Sequence, residues 1–349
     1  MKKLGKALLA VLLVLVLAVG GLIGWLSATE YRPEPTETLS VRGETEGRKL
    51  EEGASLRILS WNIGYAGLGK DEDFFMDGGK SARPSSNAVV NRYLNGICET
   101  IEAQNAALCL LQEVDSNSHR TFGIDERTAL QRGSSVYALN YSCPFVPVPV
   151  PPIGKVNSGL FTLSSFPLEK AERISLPCPF SWPMRTVNLK RCLLVSYLPI
   201  ENSDRQLVLV NLHLEAYDEG EGKIAQTNQL RAFIESEYAK GNYVIAGGDF
   251  NQTFPGGLER YPIRSAELWT PGVLDQDLLG EGWQYACDLE TPSCRLLDRP
   301  YDPADPDTQY YVIDGFILSP NVTLESVQTV DEGFENSDHN PVLLTVTLG

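Results

Sequence analysis

The feature that most constrains this chain is a recurring pattern: short apolar runs, strand-like in length, that end abruptly in a polar group. Tyr243-Val244-Ile245-Ala246 continues straight into Gly247-Gly248-Asp249-Phe250-Asn251. Asp and Asn are poor strand formers and costly to bury unpaired, so Asp249 and Asn251 either shape a turn or hold something at the end of a strand. The same transition recurs. Leu56–Trp61 alternates and stops at Asn62, Leu108–Leu111 stops at Gln112-Glu113, and Leu207–Leu212 stops at His213. Asp314 interrupts the apolar stretch Tyr311–Leu318, and Asp338-His339 precede a last run, Val342–Leu348. Further strands are expected at Leu160–Leu163, Cys192–Leu198 and near Val322–Val330. Taken singly, each polar residue is a turn or a cap. Gathered at strand ends, they are a set that an active site would use.

Helical periodicity is rarer. Val90, Leu94, Ile97 and Ile101 share one face of a helix over 87–103, and Ile224, Leu230, Ile234 and Tyr238 line up over 223–238. Strands outnumber helices, and many follow one another through turns. The pattern predicts an α/β (α+β type) fold with two packed mixed sheets and helices outside, not a doubly wound parallel sheet. No repeat or Gly/Ser linker divides the chain after residue 55, so 55–349 reads as one domain.

The N-terminus is different in kind. Lys2, Lys3 and Lys6 form a basic segment (1–6) before the uncharged stretch 7–28, which has Trp25 near its end. At ~1.5 Å per residue this stretch can cross a hydrocarbon core of ~30 Å. Lysines before it place the N-terminus in the cytoplasm and the rest of the chain outside. A signal-anchor is expected on length, with Ser27 and Ala28 leaving a cleaved signal peptide and a secreted body as the alternative. Residues 29–54, polar and proline-containing, read as an extended tether. The formal net charge of −16 repels polyanions at long range, which disfavours DNA or RNA as a general partner. An acidic body can still carry a local basic groove. Arg83, Arg120, Arg185 and Lys190 are the candidates for one, and only a structure can place them.

Seven cysteines cannot all pair within one chain. Cys98, Cys109 and Cys192 lie in apolar patterns and read as small core residues, while Cys287 and Cys294 flank a loop that a disulfide could close. His119, close to Arg120, reads as a loop residue. The segment 144–154, PFVPVPVPPIG, favours an extended polyproline conformation, either a rigid connector or a wall of a substrate cleft or membrane contact.

The polar residue types have a joint chemical use. Mg²⁺ binds through oxygen, with one or two carboxylates and the substrate's phosphate completing its shell. Glu113 and Asp338 supply carboxylates and Asn62 an amide carbonyl. Asp249 is suited to orient and deprotonate a water, and Asn251 to hold a phosphate oxygen or that water. An imidazolium at His213 or His339 offsets charge developing on phosphorus-bound oxygens. Asp314 beside His339 would fix its tautomer and raise its pKa.

In order along the chain, SWNIGY, LLQEVD, NSGL (157–160), NLHL, GGDFNQT, IDGFILS and SDHNPV resemble the motifs of the endonuclease/exonuclease/phosphatase superfamily. That superfamily includes secreted deoxyribonucleases, abasic-site endonucleases, inositol-phosphate phosphatases and neutral sphingomyelinases. The resemblance implies a four-layer α/β/β/α sandwich over residues 55–349 and Mg²⁺-dependent hydrolysis of a phosphate ester, with Mn²⁺ a possible substitute. It further implies metal-site roles for Asn62, Glu113 and Asp338. Catalytic roles would fall to His213, Asp249, Asn251, Asp314 and His339, and a cleft position to Asn157, with Arg120 a candidate phosphate ligand. Anchor and charge favour a lipid head group, an inositol phosphate or another small phosphoester. An extracytoplasmic nuclease is the alternative, and a catalytically inactive binding module is less favoured because every motif position is retained.

Overall fold

Strands that alternate apolar and polar residues have a face to bury, and here two such sheets bury theirs against each other. The structure, a computed structural model, describes residues 2–43, 47–218, 220–265 and 267–349. One sheet has six strands in the order β16 (Val322–Thr329), β17 (Val342–Leu348), β2 (Ser55–Asn62), β3 (Leu108–Asp115), β5 (Gly154–Ser164) and β4 (Ser134–Val146). The other has seven: β1 (Thr36–Thr38), β6 (Lys170–Ser175), β7 (Cys192–Pro199), β8 (Gln206–His213), β9 (Tyr243–Asp249), β15 (Asp314–Leu318) and β12 (Gln284–Ala286). Both are mixed. The pairs β2–β3 and β8–β9 are parallel, and their neighbours pair antiparallel. Two short ladders lie beside them, β10 (Gln252–Thr253) with β11 (Gly272–Val273) and β13 (Cys294–Arg295) with β14 (Tyr310–Tyr311).

Alternation sorts each strand's side chains between two cores. Ile58, Leu110, Leu194, Leu209, Ile245 and Leu344 meet between the sheets. The next residues along, such as Leu59, Cys109 and Leu111, point outward and are covered by Val90, Ile97 and Ile101 of helix α2 (Asn87–Gln104). On the far side, Leu230 and Ile234 of α4 (Glu221–Ala239) cover Val208, Val210 and Val244. Each such fully buried side chain contributes about 1.5–3 kcal/mol relative to exposure. Helix α2 begins where the Ser86 hydroxyl accepts from the Val89 N–H, a side-chain N-cap. A short α3 (Glu126–Leu130) follows β3. The result is helix, sheet, sheet, helix.

The structure differs from the sequence reading in several places. Strands β4 and β6 were not anticipated. The apolar stretch 311–318 is two strands rather than one: the Ile313 and Asp314 amides both donate to Ser293 Oγ, and Asp314 opens β15 instead of interrupting a strand. Ile224 is 62% exposed, and the inward face of α4 uses Lys223, Gln226 and Thr227 instead.

The segment 29–54, read as a tether, lies along the body: Thr36–Thr38 pairs with β6, Arg42 bridges Ser135 and Leu50 bridges Ile200. Residues 44–46 of it lie outside the described residues. The proline-rich segment is no polyproline spacer. It is the tip of the β4–β5 hairpin, with Val146 paired to Gly154. Each of the seven cysteines is a free thiol, Cys287 and Cys294 included. Cys109 and Cys192 are core residues, and Cys98 is half-buried.

Helix α1 (Lys2–Ala28) is long and apolar enough to cross a membrane. Its last turns rest on the body, with Leu26 buried among Val146, Ile153 and Val156 of the β4–β5 hairpin, and Ser27 Oγ accepts from Trp182 Nε1 at 2.9 Å.

Candidate active site

Strand register gathers the polar residues. Within the seven-stranded sheet, β8 and β9 run parallel with His213 beside Asp249, and β15 runs antiparallel with Asp314 opposite Asp249. His213, Asp249 and Asp314 thus form one row across three hydrogen-bonded strands. Gly247 and Gly248 make this row possible. A Cβ on Gly247 would meet the Phe316 ring at 2.3 Å, and one on Gly248, at φ +151°, would meet the Leu212 carbonyl oxygen at 1.9 Å. The glycines serve close packing of neighbouring strands, rather than approach of the backbone to substrate.

The six-stranded sheet contributes from the facing side. Asn62 ends β2 beside Gln112 of β3, with Glu113 next. A bulge between Leu111 and Val114 and a φ of 55° at Glu113 turn that side chain out of the ladder. Asn251 is also left-handed, at φ 49°. Unfavourable backbone at two polar positions in one place is what a functional site retains. Asp338 and His339 arrive from the segment before β17, held by a bond from Trp61 Nε1 to the His339 carbonyl oxygen (2.7 Å). Beneath the site the two sheets are pinned by Gln112 Nε2, which donates to Asn211 Oδ1 (2.9 Å), and by Asn211 Nδ2, which donates to the Leu111 carbonyl (3.1 Å).

Asp249 is the hub. Its Oδ1 accepts from the Asn251 amide at 2.8 Å and its Oδ2 from Asn62 Nδ2 at 3.0 Å. The same Oδ2 lies 3.4 Å from His213 Nε2 and 3.9 Å from His339 Nε2. Asn62 Nδ2 also reaches Glu113 Oε1 at 3.3 Å, while its Oδ1 accepts from the Gly64 amide. Asn62 therefore spans two carboxylates. Asp314 Oδ2 sits 2.8 Å from His339 Nδ1 and accepts from Ser293 Oγ at 2.8 Å. His339 Nε2 is left facing the carboxylates of Asp249 and Asp338, 3.9 and 3.8 Å away.

The two histidines carry different charge. Burial pushes His213 well below the ordinary imidazole range, and Arg191 and His339 push the same way, so it is neutral near pH 7. Burial also works against a charged His339, but Asp314, with Cys294 and Asp338, outweighs it and holds His339 well above that range. His339 is the imidazolium. Burial, then the nearby Asp314 charge, raise Asp249. Burial also raises Asp338, to about 7, against His339 and with the like charge of Glu113 adding to it. Glu113 and Asp338 both line the cleft, close enough for the Glu113 charge to act on Asp338. Asp249, Asp314 and His339 form one buried group with ligand atoms within 4.8 Å of one another, and Cys294, Asp338 and His339 form another.

These residues floor a cleft of about 330 Å³. Two expectations fail here. Asn157 does not line the cleft: its Oδ1 accepts from Ser142 Oγ, and the next residue, Ser158, lines the cleft with its hydroxyl buried and unpartnered. Adjacent strand residues point to opposite faces, so a one-residue error in parity is a whole-face error. Arg120 reaches the cleft lining, but its Nε and Nη2 donate to the Asp115 carboxylate, both at 2.9 Å, and its guanidinium stacks 3.5 Å from the Tyr65 ring centroid. It is a buried brace. His119 accepts from the Lys155 amide, away from the cleft.

Sequence reasoning missed Cys294, Arg191, Arg295 and Tyr217, which all line the cleft. Glu215, Ala216 and Tyr217 all line the cleft just beyond the end of β8, so strand alternation gave no signal for them. Cys294 and Arg295 had none, because β13 is two residues long.

The sequence model of the Endonuclease/Exonuclease/phosphatase family matches residues 59–339. No curated protein matches the chain. Among solved structures, an endonuclease/exonuclease/phosphatase from Beutenbergia cavernae DSM 12333 aligns over 86% of this chain and 72% of its own, at 17% identity and a TM-score of 0.56. One from Bacteroides vulgatus aligns over 85% and 100%, at 18% identity and 0.52. ANGEL2, a 2',3'-cyclic phosphatase solved in complex with adenosine-2',3'-vanadate, aligns over 89% and 98%, at 14% identity and 0.53. At these identities the likeness is one of fold. The sequence match, by contrast, begins within β2 just ahead of Asn62, closes on His339 and takes in every polar residue of the cleft floor, so the chain belongs to the endonuclease/exonuclease/phosphatase family of phosphate-ester hydrolases.

Proposed function

We propose that this protein is a membrane-anchored, Mg²⁺-dependent phosphoesterase whose catalytic body faces away from the cytoplasm. Its substrate is a phosphodiester or phosphomonoester, a lipid head group, inositol phosphate or other small phosphoester, attacked in line by water. The observation that carries this reading is the convergence of Glu113, Asp249 and His339 from two sheets onto one cleft, bridged by Asn62.

Glu113 and Asp338 would hold the cation, a pair of hard oxygen donors whose mutual repulsion it relieves. When bound, Mg²⁺ supplies positive charge that offsets the charge on a phosphoryl oxygen. Asp249 takes the proton of the attacking water. Its raised pKa suits a base working near neutral pH, and its bonds from Asn251 and Asn62 fix its orientation. The new P–O bond forms as the ester P–O bond breaks, and the departing oxygen leaves as an alcohol with a proton from solvent water. His339 presents Nε2–H to the cleft because Asp314 engages Nδ1, so its charge faces the oxygens on which negative charge builds. Neutral His213 places Nε2 3.4 Å from Asp249 Oδ2, beside the carboxylate that takes the proton.

The test uses the full chain in detergent with bis-p-nitrophenyl phosphate. Hydrolysis should require a divalent ion and stop on chelation. Activity undiminished in EDTA rejects the metal assignment. Exposed Cys178 reports topology: a membrane-impermeant maleimide should label it on intact cells, and labelling only after lysis rejects the outward body.

A further inference from the structure

The cleft that holds the polar floor has an apolar side, and that side belongs to the same hairpin that seats the anchor helix. Val146, Val148 and Ile153 line the cleft, together with Met184, Val187 and Leu189, and Val187 packs on the same cluster as Val146 and Ile153. Val146 and Ile153 are also the residues against which Leu26 of α1 is buried. From Ala7 to Trp25 the helix spans about 28 Å at ~1.5 Å per residue, close to the ~30 Å of a hydrocarbon core. Its contact with the body starts at Leu22, at the outer end of that span.

The surface around this junction carries exposed apolar residues beside one charged cluster, Arg185 and Lys190 paired with Glu30. Val150 is 92% exposed at the hairpin tip, Val148 56%, Met184 57% and Trp182 58%, and Trp182 is hydrogen-bonded to α1 through Ser27. Exposed apolar residues in such a cluster, with tryptophan among them, are characteristic of a surface that meets another apolar phase.

The cations of the cleft point the same way. Arg120, Arg191 and Arg295 line it, and among the described residues no lysine does. Arg120 is bound to Asp115. Arg191 donates to Glu215 and to the His213 carbonyl, and Arg295 donates to the carbonyls of Gly69, Leu296 and Arg299. A polynucleotide track needs Lys and Arg side chains turned outward to successive phosphates. This cleft offers a place for one phosphate and a wall for something greasy.

We propose, building on the phosphoesterase reading above, that the rim formed by Val148, Val150, Trp182 and Met184 sits in the outer interface of the bilayer that α1 crosses. The substrate is then an amphiphilic phosphoester drawn from that same membrane. Its phosphate rests on the polar floor and the first part of its apolar moiety on the Val146–Ile153 wall. The anchor is thus part of substrate presentation: it holds the open side of the cleft at the depth where lipid phosphates lie.

The experiment uses the full chain reconstituted in phosphatidylcholine vesicles, each preparation doped with one test phospholipid: phosphatidylglycerol, phosphatidylinositol or sphingomyelin. Brominated acyl chains read rim contact without reference to catalysis. They should quench tryptophan emission, and Trp182→Phe should remove a distinct part of that quenching, beyond what Trp25 accounts for. Val150→Asp, outside the cleft lining, should slow hydrolysis of a vesicle phospholipid about tenfold while bis-p-nitrophenyl phosphate turnover stays within about twofold. Quenching unchanged by Trp182→Phe overturns the seating of the rim. Turnover of bis-p-nitrophenyl phosphate or a short oligonucleotide with none of the vesicle lipids overturns the substrate class. If the unaltered chain leaves bis-p-nitrophenyl phosphate intact, the phosphoesterase reading itself fails, and the quenching result separates that failure from a failure of membrane seating.

Discussion

The floor of the cleft and its wall are built by different means. On the floor, His213, Asp249 and Asp314 stand in one row because β8, β9 and β15 are hydrogen-bonded in a single register deep in the sandwich. The three are tied to neighbouring strands by ladder bonds, so register fixes where each stands. The wall is a hairpin tip, a loop carrying Met184 and Val187, and the end of α1: Val146, Ile153 and Leu26 are buried in it, while Val148, Val150 and Met184 at its rim are exposed. The exposed rim tolerates change, since few buried contacts depend on its sequence. The contrast separates two questions. In the reading proposed above, the reaction belongs to what the sheets share and the choice of substrate to what is hung at their edge.

The sharpest way to break that contrast is Asp249→Asn. Loss of the base should lower kcat about 10²–10⁴-fold with little change in KM, measured on bis-p-nitrophenyl phosphate. Activity near that of the unaltered chain would mean that the floor is not where the water is activated. Next come Glu113→Gln and Asp338→Asn, each expected to raise the Mg²⁺ concentration for half-maximal activity by about 10–100-fold, the loss seen even for residues behind a metal ligand. An unchanged titration would remove these carboxylates from the metal site.

Asp314→Asn tests the electrostatics of the row. The Asp314 charge raises Asp249, which must be ionised to act, and holds His339 protonated. Removing it lowers both pKa values. The acid and alkaline limbs of the kcat/KM profile should therefore both move to lower pH, by about one unit. Limbs moving apart or upward would contradict the assignment. The smallest effect compares neighbours on one strand. Ser158→Ala should change KM by about two- to fivefold, whereas Asn157→Ala should leave both kinetic constants within about twofold. Equal effects would show that strand parity does not decide access to the cleft.

Much of the floor was legible because its residues are strand endings. An apolar run that stops at His213, Asp249 or Glu113 marks both the strand and the group it delivers, and helix α2 announced itself through Val90, Leu94, Ile97 and Ile101. The wall was less legible. Strand β4 carries half-buried tyrosines and a proline, and the hairpin tip looks like a spacer until its two strands are seen to pair. Arg120 illustrates another limit. Its fork suits a phosphate, but Asp115, five residues earlier, claims it first, and whether such a pair closes depends on how β3 exits the sheet.

By itself the sequence determined most of the strands that carry the floor, which polar types end them, and that one apolar helix precedes an acidic body. These are local properties, governed by side-chain periodicity and chain composition. Only the tertiary structure decided that His339 is held toward its charged form and His213 toward its neutral one, that Ser158 rather than Asn157 meets the cleft, and that the apolar N-terminal helix rests on the cleft's own wall. Each of those depends on distances between residues far apart along the chain. Such distances follow from strand register and packing, which become defined only when the two sheets close on each other.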